Sequence, residues 1–123
     1  AEQLDVDPKR IFKTLVVALS SGVFSMAVLP SDKQLDLKLF ASHFKAKKAV
    51  MAAPEDVERL TGYVLGGVSP LGPKKRLPLV LDNTATEFNT IFISAGRRGL
   101  EIELAASALL DLTQGLLAPI GKR

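Results

Sequence analysis

A chain of 123 residues, 47% apolar and 24% charged, has the size and make-up of one ordinary domain with its own core. It contains no cysteine, which excludes a disulfide framework, a thiolate nucleophile and a Cys-based metal site and fits a cytoplasmic protein. Net charge is only +3, but Glu2, Asp5 and Asp7 gather negatives at the start, and the cations cluster at Lys9/Arg10/Lys13, Lys45/Lys47/Lys48, Lys74/Lys75/Arg76 and Arg97/Arg98. Such clusters suit a polyanion-binding surface as well as a merely solubilising one.

The opening stretch Ala1 to Pro8 is acidic and polar and does not read as a secretory signal. Ile11 to Leu19 then reads as a strand, Ser20-Ser21-Gly22 as a turn, and Val23 to Leu29 as the returning strand, ended by Pro30-Ser31-Asp32. Asp36 is placed to cap a helix whose apolar positions Leu37, Phe40, Ala41 and Phe44 recur at helical spacing. Ala49 to Ala52 predicts a short strand. Pro54 opens a second helix, with Glu55 and Asp56 near its positive end, and Gly62 closes it.

From Gly62 to Pro73 the chain is punctuated by glycine and proline. Leu77 to Leu81 predicts a strand with Asp82 at its end, and Thr84 to Phe88 a short helix. Thr90 to Ser94 and Leu100 to Leu104 form a hairpin through Gly96-Arg97-Arg98-Gly99, and Ala105 to Thr113 a last helix capped by Gly115. No apolar run reaches the length needed to cross a bilayer; Lys13, Pro30 and Lys45 break the longest. The order predicts one α+β domain over 1–123, a mixed, mostly antiparallel sheet or barrel with helices packed on it.

Within this frame Lys13 stands out. In an extended strand it shares a face with Ile11, Leu15, Val17 and Leu19, so the apolar face carries an ammonium inward. Such a group needs a partner or access to water; a stem on the core with its head in solvent is the plainer alternative. In the stretch Gly66 to Pro70, the paired glycines Gly66 and Gly67 let main chain approach a ligand, Ser69 adds a hydroxyl, and Pro70 restricts the segment. An ordinary tight connection would look the same. The spacing fits neither a phosphate-binding nor a dinucleotide loop. Glu101 and Glu103 alternate with Leu100, Ile102 and Leu104, which places both carboxylates on the side away from the core, free to act as acid and base, to pair with Lys13, or simply to be solvated. His43 has no second histidine beside it, so no metal site is expected; Ser94 lacks the context of a Ser-His-Asp nucleophile.

The run Thr61-Gly62-Tyr63-Val64-Leu65-Gly66-Gly67-Val68-Ser69-Pro70-Leu71-Gly72 resembles the signature loop of the YbaK/EbsC family, relatives of the editing domain of bacterial prolyl-tRNA synthetases. Phe12-Lys13-Thr14-Leu15, Gln34-Leu35-Asp36-Leu37-Lys38, Lys74-Lys75-Arg76-Leu77-Pro78 and Gly99-Leu100-Glu101-Ile102-Glu103-Leu104 resemble further family segments in the same order, roughly from Asp7 to Gly115. The resemblance implies an editing-domain-like fold and hydrolysis of the ester joining a wrong amino acid to tRNA, cysteine on proline tRNA above all, without cofactor or metal. It makes Lys13 the essential lysine and Gly66 and Pro70 the ends of a G-x-x-x-P loop, with Gly67, Ser69 and Glu101 at the substrate. Glu101 stands where the family has aspartate.

The resemblance further implies that the substrate supplies its own attacking group, such as the cysteine thiol. The expected partners are the acceptor end of mischarged tRNA and prolyl-tRNA synthetase, with neither membrane nor DNA. Family members carry a further N-terminal segment, and this chain is expected to begin after it. A non-catalytic RNA-binding module and a synthetase-docking module are the competing readings.

Overall fold

A computed structural model of the chain describes residues 7–97 and 99–122; Glu2, Asp5 and Arg98, named above for their charge, lie outside them. A single 3-10 turn (Pro8–Arg10), capped by the Asp7 carboxylate on the Lys9 amide, leads into strand β1 (Phe12–Leu19), which returns as β2 (Phe24–Pro30). Their antiparallel register pairs Phe12 with Pro30 and Ala18 with Phe24. After the two-residue strand β3 (Gln34–Leu35), Asp36 caps helix α1 (Leu37–His43) as the sequence predicts, its carboxylate accepting from the Leu39 amide at 3.0 Å.

Strand β4 (Ala49–Met51) precedes helix α2 (Pro54–Thr61), which Pro54 opens and Gly62 closes at φ 82°. Strand β5 (Leu79–Asp82) starts two residues later than its apolar pattern, because Pro78 has no N–H to give and joins the ladder only as an acceptor, from the Met26 amide at 2.8 Å.

A 3-10 segment (Asn83–Glu87) stands at the expected short helix, followed by β6 (Ile91–Arg97), β7 (Leu100–Leu104) and helix α3 (Ala106–Thr113). The end of α3 differs from expectation: Gln114, not Gly115, takes the left-handed conformation, at φ 56°. Gly115 is needed for room instead, since a Cβ there would lie 2.9 Å from Leu79 Cδ2. Two short strands, β8 (Leu116–Ala118) and β9 (Gly121–Lys122), complete the described chain.

The main sheet runs β4-β1-β2-β5-β8, antiparallel through β2 and parallel beyond it; β3–β9 and β6–β7 form two further antiparallel pairs. This is the mixed, mostly antiparallel α+β domain expected. Both faces of the main sheet are covered. Phe12, Val16, Met26, Val28, Leu79 and Leu81 pack on one side against Val57 and Leu60 of α2, Ile91 and Ile93 of β6 and Leu109 of α3. Val17, Leu19, Ala27, Leu29 and Val80 pack on the other against Phe40 of α1 and Ile120. So β1 has two inward faces, and the alternation that set Lys13 among core residues describes only one. No helix among the described residues is long and apolar enough to cross a membrane.

Asp82 fastens the C-terminal segment. It is 3% exposed, and its carboxylate accepts from the amides of Ile120 (2.9 Å) and Gly121 (3.1 Å) and from the amide and hydroxyl of Thr84. Asp82→Ala leaves those donors without their acceptor and is expected to lower unfolding free energy by about 2–4 kcal/mol in urea titration. A loss below about 0.5 kcal/mol, the range of an ordinary surface change, would contradict the fastening role.

Candidate active site

On one side β2 covers β1 from Phe12 to Ala18. On the other, β4 covers only Val17 to Leu19, and a single parallel bridge joins Ile11 to Phe92 of β6. Between these, the edge from Phe12 to Val16 meets no strand among the described residues, and a cavity of about 340 Å³ opens there. Phe12 to Val16 form its floor. Met51, Ala52 and Val57 wall one side, Leu65, Gly66 and Val68 of the long loop another, and Ser94, Glu101 and Ser31 the rest. That volume holds an aminoacyl group and a little more, so a larger substrate must lie across the rim.

The floor is polar where the ladder is missing. Ser31 donates its amide to the Ile11 carbonyl and Leu19 its amide to Val23, so odd-numbered residues of β1 bond toward β2; Ala52 donates to the Val16 carbonyl on the opposite side. By this alternation the main-chain N–H and C=O of Thr14 point to the uncovered side. The Thr14 hydroxyl is buried as well and has no hydrogen-bond partner. Lys13, half-buried on the other face, donates from Nζ to the Lys33 carbonyl and, at 3.4 Å, to the Ser31 carbonyl. Two of the three ammonium donors are thereby held by the β2–β3 turn, which answers the need of a cation on an apolar strand.

Glu101 keeps its expected face, away from Leu104 and the core, but that face borders the cavity rather than solvent. It lies opposite Ser94 in the β6–β7 register and turns into the cavity, with Oε2 closed to solvent and without a hydrogen-bond partner among the described residues, while Leu100 (51% exposed) and Ile102 (37%) are uncovered on the outer strand of the pair. Leu104 packs on the core beside Ile91 and Ile93, so the opposite face of the hairpin, with Ser94 and Glu101, is the one that looks onto the open edge of β1. Neither carboxylate pairs with Lys13. Glu103 instead takes Arg10 at 3.1 Å, and Arg10 also donates to the Thr90 carbonyl (3.0 Å) and hydroxyl (2.6 Å) with its guanidinium 5.0 Å from the Phe92 ring centre. This clamp fixes the hairpin to the start of β1 and so sets where Glu101 stands.

The loop from 62 to 73 is closed at its base: the Lys74 amide bonds the Thr61 carbonyl at 3.1 Å and the Lys75 amide bonds Leu60 at 2.9 Å. It is a compact loop with its ends together, packed by its own side chains. Tyr63 donates from its hydroxyl to the Leu71 carbonyl at 2.7 Å, and its ring lies against Gly96 of the hairpin. Gly66 lines the cavity at φ 86°, and its amide makes no hydrogen bond among the described residues. The Gly67 amide is held by the Val64 carbonyl at 3.0 Å, and Ser69 Oγ accepts from the Leu71 amide at 3.2 Å. Pro70 lines a separate apolar cavity of about 240 Å³ beside Met26 and Leu79.

Of the residues singled out in the sequence, Lys13, Gly66 and Glu101 therefore converge on one cavity, while Gly67, Ser69 and Pro70 shape the loop behind it. Thr14 and Ser94 join the cavity without having been anticipated. The signal for Thr14 was present: Lys13 and Thr14 are the two polar residues of an otherwise apolar strand and point to opposite faces. His43 is exposed, its Nε2 3.0 Å from the Pro119 carbonyl, and lies outside the lining. Ser94, whose Oγ accepts from the Gly96 amide at 3.2 Å, thus has no histidine to activate it.

A strand edge left open beneath a tight glycine loop, with a lysine and a buried carboxylate on its walls, is a site for a small polar group presented from outside. The chain belongs to the aminoacyl-tRNA editing domain family, which it matches over residues 1–112. It is 44% identical over 120 residues to EbsC of Enterococcus faecalis, a candidate Cys-tRNA(Pro)/Cys-tRNA(Cys) deacylase, the match covering 98% of this chain and 73% of that protein. It is 34% identical over 90 residues to ProXp-y of Escherichia coli, a multifunctional Ser/Thr-tRNA deacylase, covering 72% of this chain and 54% of that one. A solved structure of a candidate trans-editing enzyme for prolyl tRNA synthetase superimposes with a TM-score of 0.90 at 25% identity, over 100% of this chain and 77% of that one.

The contact between Tyr63 and Gly96 is the seam holding loop to hairpin. A Cβ at Gly96 would come within 2.8 Å of Tyr63 Cε1, at a backbone φ of 103°. Gly96→Ala is expected to lower stability by about 1–3 kcal/mol in thermal or urea unfolding. An unchanged midpoint would show that the ring is not fixed there.

Proposed function

We propose that this protein hydrolyses the ester linking a wrongly attached amino acid to the 3′ end of tRNA, acting in trans in the cytoplasm, with cysteinyl-tRNA(Pro) the foremost substrate. One observation carries the reading: in a chain of the aminoacyl-tRNA editing family, Lys13, the amide of Gly66, unbonded among the described residues, and the carboxylate of Glu101 line one cavity of aminoacyl size. The similarity to EbsC along almost the whole chain supports cysteine as the amino acid.

The chemistry follows from what lines the cavity. An attacking oxygen or sulfur adds to the ester carbonyl carbon, the carbonyl oxygen gains negative charge, and the bond to the ribose oxygen then breaks, that oxygen leaving as the 3′-terminal hydroxyl after taking a proton. Gly66 N–H is free to donate to the developing oxyanion. The third donor of the Lys13 ammonium holds the ribose or the ester oxygen by a charged hydrogen bond, and the turn carbonyls that hold the other two fix its direction. Since no cavity side chain is an activated nucleophile, the attacking group comes from the substrate's own side chain or from water, which suffices for an ester already activated as this one is.

The exposed cations Lys74, Lys75 and Arg76 sit at the base of the loop that carries Gly66. There they meet the phosphates of the acceptor stem, a contact that confers affinity without sequence selectivity. Choice of tRNA then falls to prolyl-tRNA synthetase, the second partner in this reading.

Lys13→Ala is expected to lower single-turnover release of cysteine from cysteinyl-tRNA(Pro) by about 100-fold or more with an unchanged circular dichroism spectrum. Seryl-, threonyl- and correctly charged prolyl-tRNA(Pro) run in parallel rank the amino acids. A folded variant that is fully active would remove Lys13 from the mechanism; wild-type protein silent on every ester would end the hydrolase reading.

A further inference from the structure

Among the described residues, the cavity holds one anion that nothing neutralises. Glu101 Oε2 is closed to solvent and has no hydrogen-bond partner. Lys13, which lines the same cavity, is engaged with the carbonyls of Ser31 and Lys33, and Arg10 is held by Glu103 and Thr90. A carboxylate oxygen withdrawn from water without a donor is unfavourable, and the imbalance is relieved only by a ligand that brings a donor, a cationic one best. An aminoacyl ester has one cation near its reacting carbon, the α-ammonium, a single carbon atom away. With the carbonyl oxygen on the Gly66 amide, that ammonium falls inside the same cavity that Glu101 lines.

We infer that Glu101 is the receptor for the free α-ammonium of the aminoacyl group, and that the site therefore discriminates aminoacyl-tRNA from esters whose nitrogen is acylated. The inference rests on the proposed hydrolase function and adds to it a selectivity rule. An N-acylated ester has no positive charge to offer, and its acyl carbonyl sets a second acceptor against the carboxylate. The unpartnered hydroxyl of Thr14, in the same cavity, is a second acceptor for the ammonium. The consequence is protective: chains in mid-synthesis and formylated initiators, whose α-nitrogens are acylated, are spared, while any small amino acid with a free amine is admitted.

The test compares one tRNA(Pro) charged with cysteine or alanine against the same esters N-acetylated, each rate divided by that ester's spontaneous hydrolysis. Wild type is expected to favour the free amine by about 100-fold in kcat/KM, the scale of a buried charge pair. Glu101→Gln, checked for fold by circular dichroism, is expected to lose rate on the free amine so that the preference falls below about tenfold, and Glu101→Asp to retain most of it. Equal cleavage of both esters by wild type, or an unchanged preference in Glu101→Gln, overturns the receptor assignment while leaving the hydrolase reading intact. Failure of wild type on every ester strikes the hydrolase reading instead.

Discussion

A strand in the middle of a sheet ordinarily has both of its edges consumed by neighbours, and its main-chain groups are then unavailable to anything else. In this protein β1 meets that rule on one side only. β2 pairs with it along nearly its whole length, but β4 pairs with its last three residues and β6 touches it at a single bridge. In the interval between them the main-chain N–H and C=O of Thr14 are left directed at a cavity, and the residues that line it are held by the elements around that gap. Closing the ladder there would improve the sheet and remove the site.

Keeping such a gap open requires walls that do not collapse into it. The loop from 62 to 73 is one wall, anchored at both ends on the last turn of α2 and braced across its middle by Tyr63. The β6–β7 hairpin is the other, pinned to the start of β1 by Arg10 and to the loop by the fit of Gly96 against the Tyr63 ring. Among the described residues, these supports leave three unsatisfied groups on the cavity: the Gly66 amide, the Thr14 hydroxyl and one oxygen of Glu101. In the proposed function they serve as a donor for the oxyanion and acceptors for the ammonium of an aminoacyl ester. Groups poised in this way need no reorganisation when charge develops on the substrate.

Much of the architecture was legible because its signals are local. The Asp36 cap, the Pro54 start and Gly62 stop of α2, and the β1–β2 hairpin each depend on a few neighbouring residues. Lys13, Gly66 and Glu101 were legible too, through an ammonium on an apolar strand and through the resemblance of the loop. What was not legible depends on contacts distant in sequence. Strands β3, β8 and β9 have two or three residues each, too few to show a period, and exist because β5 and each other offer edges. Glu101 kept its alternation, opposite the face on which Leu104 joins Ile91 and Ile93 in the core, but that its own face looks onto the open edge of β1 rather than into solvent depends on contacts distant in sequence. Gln114 took the conformation expected of Gly115, and Gly115 is instead required by its close approach to Leu79, a contact between distant parts of the chain.

The account turns on where the aminoacyl group sits, and a structure with a non-hydrolysable 3′-amide analogue of cysteinyl-adenosine tests that directly. It predicts the analogue's carbonyl oxygen on the Gly66 amide and its ammonium on Glu101, over the Thr14 floor of β1. The analogue seated instead in the apolar cavity beside Met26 and Pro70, with the edge of β1 unoccupied, would contradict it.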